Sequence, residues 1–340
     1  MSNKMQINIV KGKNCFYANL TSILSYYGYP YSEAEIFFLS DSADCFFSEA
    51  KAKRISDVIT MYSCDEAADK IAGILPLEKR AFEYNYSSEF AHKQFENNML
   101  KCMNNNYPII CMMNQKVLDY QPQYYIELQE ARHGIIIYGF DDKKKNFYIG
   151  DSFVMDSQGA IESYEGILPS NVVMNNLYGY IWFEPMAERK NNRINKKGIL
   201  EIVLHNLQRM LYTKIVEGKF IGNSAIKKGF EYVAAAIKNE RVDNEDIIKF
   251  IHFLKMRYVI VFEYIADIIN DVSSNTCLWK QIIDIKNEWD YIITRLLMIT
   301  YSKASVNKIS SKVNILVEKQ EEVIRDTICV LENLNNFRSE

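Results

Sequence analysis

Lys11-Gly-Lys-Asn-Cys15-Phe-Tyr-Ala-Asn-Leu-Thr-Ser-Ile-Leu-Ser-Tyr-Tyr-Gly28 places a cysteine where a helix should begin. Apolar residues at Phe16, Leu20, Ile23, Leu24 and Tyr27 have helical spacing, and Gly28 and Pro30 close the run. A thiol at such a position faces unpaired backbone N–H groups and the positive end of the helix dipole. Lys11 and Lys13 stand nearby. This setting favours the thiolate, the nucleophilic form of cysteine.

A nucleophile needs a base, and the base an orienting group. Both are offered far downstream by Arg132-His133-Gly-Ile-Ile-Ile-Tyr-Gly-Phe-Asp-Asp-Lys-Lys-Lys-Asn-Phe-Tyr-Ile-Gly-Asp151-Ser. Two strand-like runs flank Asp141-Asp-Lys-Lys-Lys145, which reads as a hairpin turn. With Phe140 paired near Phe147, Ile136 falls opposite Asp151, and His133 lies about three residues beyond. A contact between His133 and Asp151 then needs twist or a bulge. Either Asp141 or Asp142 would replace Asp151 in another register, although both suit a turn better. Free cysteines are often buried as small hydrophobes, and a histidine before an apolar strand is often structural. Cysteine, histidine and aspartate in these three contexts together favour a catalytic cluster.

The rest of the chain narrows the class. Its 340 residues suffice for two domains. A net charge of −3 supplies no basic field, so nucleic acid is not an expected partner. No apolar run reaches membrane-span length and the N-terminus lacks a signal-peptide core, so neither a membrane nor export is expected. Seven cysteines without CxxC or zinc-type spacing fit free thiols in a reducing cytoplasm, with no metal site. Six of them lack a charged helix-start setting and read as packing. His92, His205 and His252 fall in helical patterns as solvated or core-edge residues.

Ser32 and Glu35 form a capping box for a second helix toward Leu39. Helices are expected at Asp65–Ile74 and Ser88–Asn104. Strands are expected at Pro108–Met113, Gly134–Phe140, Asn146–Ser152 and Tyr178–Phe183, with a strand-like run at Ile55–Ser63. A helical front followed by antiparallel strands is an α+β order. At Glu188-Arg-Lys-Asn-Asn-Arg-Ile-Asn-Lys-Lys197 the composition shifts, dividing a domain at 1–187 from one at 188–340. No further strand is expected beyond it. Helical patterns cover Ile199–Ile215, Ser224–Lys238, Asn244–Asn270, Thr276–Tyr301 and Ser305–Leu334, an all-α bundle capped in part by Asp243 and Ser274.

Several of these stretches carry a family resemblance: Asn14-Cys15 with its helix and Tyr27-Gly28; Tyr31-Ser-Glu-Ala-Glu-Ile-Phe-Phe38; Tyr107-Pro-Ile-Ile-Cys-Met-Met-Asn114; Leu118-Asp-Tyr120; and His133 through Asp151. The N-terminal part resembles the papain-like fold of double-glycine peptidases and, more closely, the butirosin-type aminoacyltransferase family. The Leu-x-Tyr step is more telling than the triad order. Gly222-Asn-Ser-Ala-Ile-Lys-Lys-Gly-Phe-Glu-Tyr232 is similar to that family's accessory region. The papain-like glutamine shortly before the cysteine is absent, with Ile9-Val10 in its place and Gln6 further back. Asn114 stands where the family often has an acidic residue.

The resemblance implies an N-acyltransferase. Cys15 takes an acyl group from a carrier-protein thioester and passes it to an amine, a diamine among the acceptors, in natural-product assembly. His133 is then general base and acid, Asp151 the orienter, and Asn114 and Tyr120 candidate substrate-binding residues. No intrinsic cofactor is implied; the carrier's phosphopantetheine arm is the acyl donor. An acyl or peptidyl carrier protein and a small amine are the expected partners, with Lys196, Lys197, Lys227 and Lys228 as a docking face. Pairing of helical halves would give a homo-oligomer. The competing readings are a peptidase that cuts a leader peptide and a non-catalytic binding module of the same fold.

Overall fold

Cys15 and Gly28 bound the first helix as the sequence suggests. In the computed structural model, α1 (Cys15–Tyr26) starts after an extended Asn14 and ends before Gly28 at φ +87°. The structure describes residues 2–42, 46–47, 59–60, 64–85, 88–121, 132–155, 161–186, 194–211, 215–216, 219–239, 250–251, 254–273, 275–299 and 306–337. Residues Phe16 through Leu24 are all buried, so α1 is an internal helix rather than an amphipathic surface one. Leu20, Ile23 and Leu24 are fully buried, each contributing roughly 1.5–3 kcal/mol by removal from water. The capping box forms as read: Glu35 accepts from Ser32 N (2.7 Å) and Ser32 Oγ accepts from Glu35 N (3.2 Å). It opens α2 (Glu33–Leu39).

The strands are β1 (Ser2–Lys4), β2 (Phe46–Phe47), β3 (Ile59–Thr60), β4 (Leu77–Glu83), β5 (Ile109–Asn114), β6 (Arg132–Asp141), β7 (Asn146–Met155), β8 (Ile161–Pro169), β9 (Leu177–Pro185), β10 (Ile215–Val216) and β11 (Lys219–Ile221). Seven of them form one antiparallel sheet in the order β4-β9-β5-β6-β7-β8, with β1 beside β6. This α+β fold, with helices first, an antiparallel sheet and then a helical region, agrees with the sequence reading. Strands β4 and β8 escaped it. Both are sheet edges whose exposed faces carry Glu78 and Arg80, or Glu162 and Glu165, so no apolar alternation marks them.

By contacts the chain divides into two compact units, Met1–Ile36 with Cys64–Arg193, and Phe37–Ser63 with Ile194–Glu340. The boundary after 187 read from composition falls close to the second junction. The stretch 37–63 was read as part of the first domain and groups instead with the second unit, because β2 pairs with β11. That pairing also corrects the expectation of no strands beyond the linker: β10, β11, β2 and β3 form a small second sheet. Two- and three-residue strands are too short for a period of two to register.

In the first unit, α1 packs on β6 and β7. The helix Glu89–Asn105 sets Phe95 against Phe147 and Tyr180. Residues 5–9 form an extended arm with Met5, Ile7 and Ile9 buried. Met5 N donates to Tyr138 O and Gly12 N to Ser152 O, both at 2.9 Å, so the arm delivers the Cys15 loop to the sheet.

In the second unit the helices are Lys196–Met210, Asn223–Lys238, Val261–Val272 after a π turn at Lys255–Ile260, Thr276–Ile299 and Val306–Phe337. Asn275, next to the expected Ser274, caps the fourth by accepting from Leu278 N (3.0 Å). Asp243, Ser274, His252, Cys45 and most of Ile55–Ser63 lie outside the described residues. Trp289 stacks on Tyr258 at 3.9 Å and donates to Gln320 Oε1 (2.7 Å), whose Nε2 donates to Asn223 Oδ1 (3.0 Å). Among the described residues no helix is long and apolar enough to cross a membrane.

The capping box makes one stability statement measurable. Ser32→Ala should lower stability by about 1 kcal/mol, read as a fall in urea midpoint at unchanged denaturant slope.

Candidate active site

The loop before Cys15 is held by its own backbone amides. Glu33 accepts from Lys13 N (2.9 Å) and Asn14 N (2.7 Å). Burial raises the Glu33 carboxyl above its usual range, and those two bonds oppose the rise. Asn14 Oδ1 accepts from Phe16 N (2.9 Å) and Tyr17 N (3.2 Å). Of the five successive amides from residue 13 to 17, four are therefore taken. The Cys15 N–H has no acceptor among the described residues and points from a helix N-terminus. Cys15 itself is half-buried. Lys11 does not attend it, since its ammonium lies 3.6 Å from Glu162 at the surface.

His133 and Asp151 meet because of one extra residue. Along the β6–β7 hairpin, Asp141 pairs with Asn146, Phe140 with Phe147 and Gly139 with Tyr148. Beyond Tyr138 the register shifts, so that Ile137 pairs with Ile149 and Ile136 with Gly150. Continued by one step, the shifted register sets Asp151 across from Ile135. His133 is two residues from Ile135 and shares its face. In the unshifted register Asp151 would face Ile136, and His133, three residues away, would point to the other side of the sheet. The bulge thus decides whether the two side chains can touch.

His133 Nε2 donates to Asp151 Oδ2 at 2.7 Å, and both residues are buried. The Cys15 sulfur lies close enough to the imidazole to act on its charge. Burial pulls the ring's pKa down, but the Asp151 carboxylate, the Cys15 sulfur and the hydrogen bond to Asp151 push it up to about 10. The three residues singled out in sequence are brought together in space. The pair Asp141 and Asp142 stays in the turn, where Asp141 Oδ1 accepts from Lys143 N (3.1 Å) and Asp142 meets Lys145 (2.7 Å).

Asp151 has more partners than the sequence disclosed. Oδ2 also accepts from Tyr120 Oη (3.0 Å) and Gln121 Nε2 (2.8 Å), and Oδ1 from Phe153 N (2.9 Å). Tyr120, read as a substrate contact, stacks on Tyr164 at 3.9 Å. Burial and the Asp151 carboxylate keep its phenol protonated well above the usual range. Asn114, the other candidate substrate contact, caps the 3-10 turn Gln115–Val117 by accepting from Lys116 N (3.0 Å). Gln6 is exposed on the arm. Gln121 escaped the sequence reading because a single polar residue in a connection carries no periodic signal.

Asn19 was missed as well. It is fully buried one turn beyond Cys15. Its Nδ2 donates to Gly134 O (2.7 Å) and its Oδ1 accepts from Ser152 N (3.3 Å). The detectable signal was polar spacing: Cys15, Asn19 and Ser22 recur along one face of the helix.

The other cysteines divide three ways. Cys64 opens the helix Cys64–Ile74, a helix-start setting that sequence had reserved for Cys15. Burial, then the nearby charge of Cys15, pushes its thiol up to about 12. Cys102 and Cys111 are buried, as expected of packing residues, whereas Cys277 and Cys329 are exposed, because their helices turn those positions outward. Among the described residues no group of three His, Cys, Asp or Glu is placed to hold a metal ion.

Residues 14–152 match the family model described as Butirosin biosynthesis protein H, N-terminal. Over this stretch, less than half of the chain, the sequence is similar to that family. The butirosin biosynthesis protein H match opens on the cap residue Asn14 and closes one residue past Asp151, so the whole Cys15–His133–Asp151 cluster lies inside it. No curated protein matches the chain.

The charged ring of His133 gives a pH test with a definite sign. Its folded pKa lies above the unfolded value near 6.5, so the stability it contributes is complete below about pH 6.5. That contribution should fall as pH rises from there and vanish above about 10. Urea midpoints measured across this window should drop less in His133→Gln than in the native protein. Equal slopes would contradict the ion-paired ring.

Proposed function

We propose that the chain is a cysteine-dependent N-acyltransferase of natural-product assembly, acting on an acyl thioester and an amine. The observation that carries the reading is the His133–Asp151 bond with the Cys15 sulfur close by, inside the stretch that matches butirosin biosynthesis protein H. The Cys15 sulfur attacks the thioester carbonyl. The developing oxyanion is received by the Cys15 N–H, the amide that Glu33 and Asn14 leave untaken. The carrier's phosphopantetheine sulfur departs with a proton from His133, leaving a thioester on Cys15. This exchange of one thioester for another is close to thermoneutral. An amine then attacks, His133 takes its proton, and the Cys15–carbonyl bond breaks to release an amide. The second step is downhill because amide resonance exceeds that of a thioester.

Asp151 does not need to move a proton in this scheme. It holds the ring and balances its charge. A carrier protein is the expected donor partner, and lysines of the helical unit are its candidate docking residues. Lys196, Lys227 and Lys228 meet Asp271 (3.8 Å), Glu318 (3.6 Å) and Glu231 (2.6 Å). Exposed pairs of this kind are worth little, so they would yield readily to an acidic partner.

Incubation with an acylated carrier protein, followed by intact mass measurement, tests the reading. The protein should gain one acyl mass, Cys15→Ser should gain none by thioester exchange, and added amine should discharge the acyl group as amide. Release of free acid would make it a thioesterase. Cleavage of an unmodified leader peptide would make it a peptidase.

A further inference from the structure

The mechanism uses three side chains but leaves unexplained what fixes the distance between a helix-borne sulfur and a sheet-borne ring. The seam between α1 and the β6–β7 hairpin is unusual in being polar. On the face of α1 that carries Cys15, Asn19 and Ser22 follow at one and two turns, and both are buried. Ser22 Oγ lies 3.3 Å from Ser152 Oγ and accepts from Val10 N (2.9 Å), tying the helix to the arm and to β7. Asn19 does something more specific. Its amide spans the two strands at the residues that follow His133 and Asp151 directly, Gly134 and Ser152.

We infer that Asn19 is a positioning residue of the active site, setting the sulfur–imidazole distance by clamping α1 to the backbone beside both His133 and Asp151. Three features support it. The donor side of the amide satisfies the Gly134 carbonyl and the acceptor side the Ser152 amide, so neither Asp nor Leu can make both bonds. A hydrophobic residue there would leave two buried backbone groups unpaired. Gly134 lies close under the seam: a Cβ on it would come 3.3 Å from Asn19 Nδ2, 3.4 Å from Met112 Sδ and 3.6 Å from the Cys15 carbonyl oxygen. A helix shifted outward would carry Cys15 with it, while His133 stayed held by Asp151.

The inference rests on the Cys15–His133–Asp151 reading, not on the acyl chemistry, and its test uses the whole protein without any acyl donor. Cys15 alkylation by iodoacetamide is followed by peptide mass mapping, and the His133 ring by nitrogen-15 NMR. Thr21→Ala serves as a destabilised control, since among the described residues the Thr21 hydroxyl donates only to Tyr17 O within α1 (3.0 Å). Asn19→Asp should slow Cys15 alkylation about tenfold at pH 7 and shift the His133 ring signals. Thr21→Ala, with a comparable loss of melting temperature, should leave both at native values. Native alkylation and ring signals in Asn19→Asp would overturn the inference.

Should Asn19→Asp fail to fold, Asn19→Ser decides, because its short hydroxyl stays polar but cannot reach both Gly134 O and Ser152 N. A comparable slowing supports the clamp, and an unchanged rate overturns it. Alkylation of the native protein no faster than that of His133→Gln would overturn the triad reading and the clamp together. Failure of acyl transfer with alkylation still dependent on Asn19 would sink only the proposed reaction and support the clamp.

Discussion

The bulge at Tyr138 is the constraint on which the rest of the site depends. Side chains alternate along a strand with a period of two, so a single extra residue exchanges the faces of everything beyond it. With that residue, Asp151 and His133 share a face and lie 2.7 Å apart. Tyr138 is itself anchored, with its ring buried, its hydroxyl donating to Glu165 (2.8 Å) and its carbonyl accepting from Met5 N (2.9 Å). The shift is therefore held in place through both the side chain and the backbone of Tyr138.

A fully buried carboxylate is costly unless hydrogen bonds replace its water. Asp151 receives four donors: His133 Nε2, Tyr120 Oη, Gln121 Nε2 and Phe153 N. They offset the desolvation of the anion and leave it little freedom to rotate. The ring it holds is in turn charged by its two neighbours, against the opposing pull of burial. Charge and geometry reinforce each other, because the contact that orients the imidazole also stabilises the imidazolium. On the nucleophile's side the same economy holds: Glu33 and Asn14 consume the surrounding amides and leave that of Cys15 for an incoming oxygen. Cys64, although also at a helix start, is pushed toward the neutral thiol by burial. Dipole alone does not make a nucleophile.

The candidate site was legible where chemistry is local. Gly28 and Pro30 after an apolar run mark a helix end, Ser32 and Glu35 mark a cap, and Asp141 through Lys145 mark a turn. Each depends on residues within a few positions, and each stands as read. Tyr120 was recognised as belonging to the site but given a substrate's role. A phenol's partner is decided by whatever lies across space, here Asp151 and the Tyr164 ring. Asn19 and Gln121 went unnoticed because one polar residue in an apolar or loop context looks like noise until its partners are known.

The amino-acid sequence by itself determined the α+β order, the helix that begins at Cys15 and the hairpin that carries His133 and Asp151. Those features arise from caps, turns and periodicities that act between near neighbours. Tertiary structure alone decided the register shift at Tyr138, the clamp through Asn19 and the pairing of β2 with β11 in the second unit. The reason is physical: strand register and buried polar contacts are settled by which surfaces meet, and residues more than a hundred positions apart leave no periodic trace of having met.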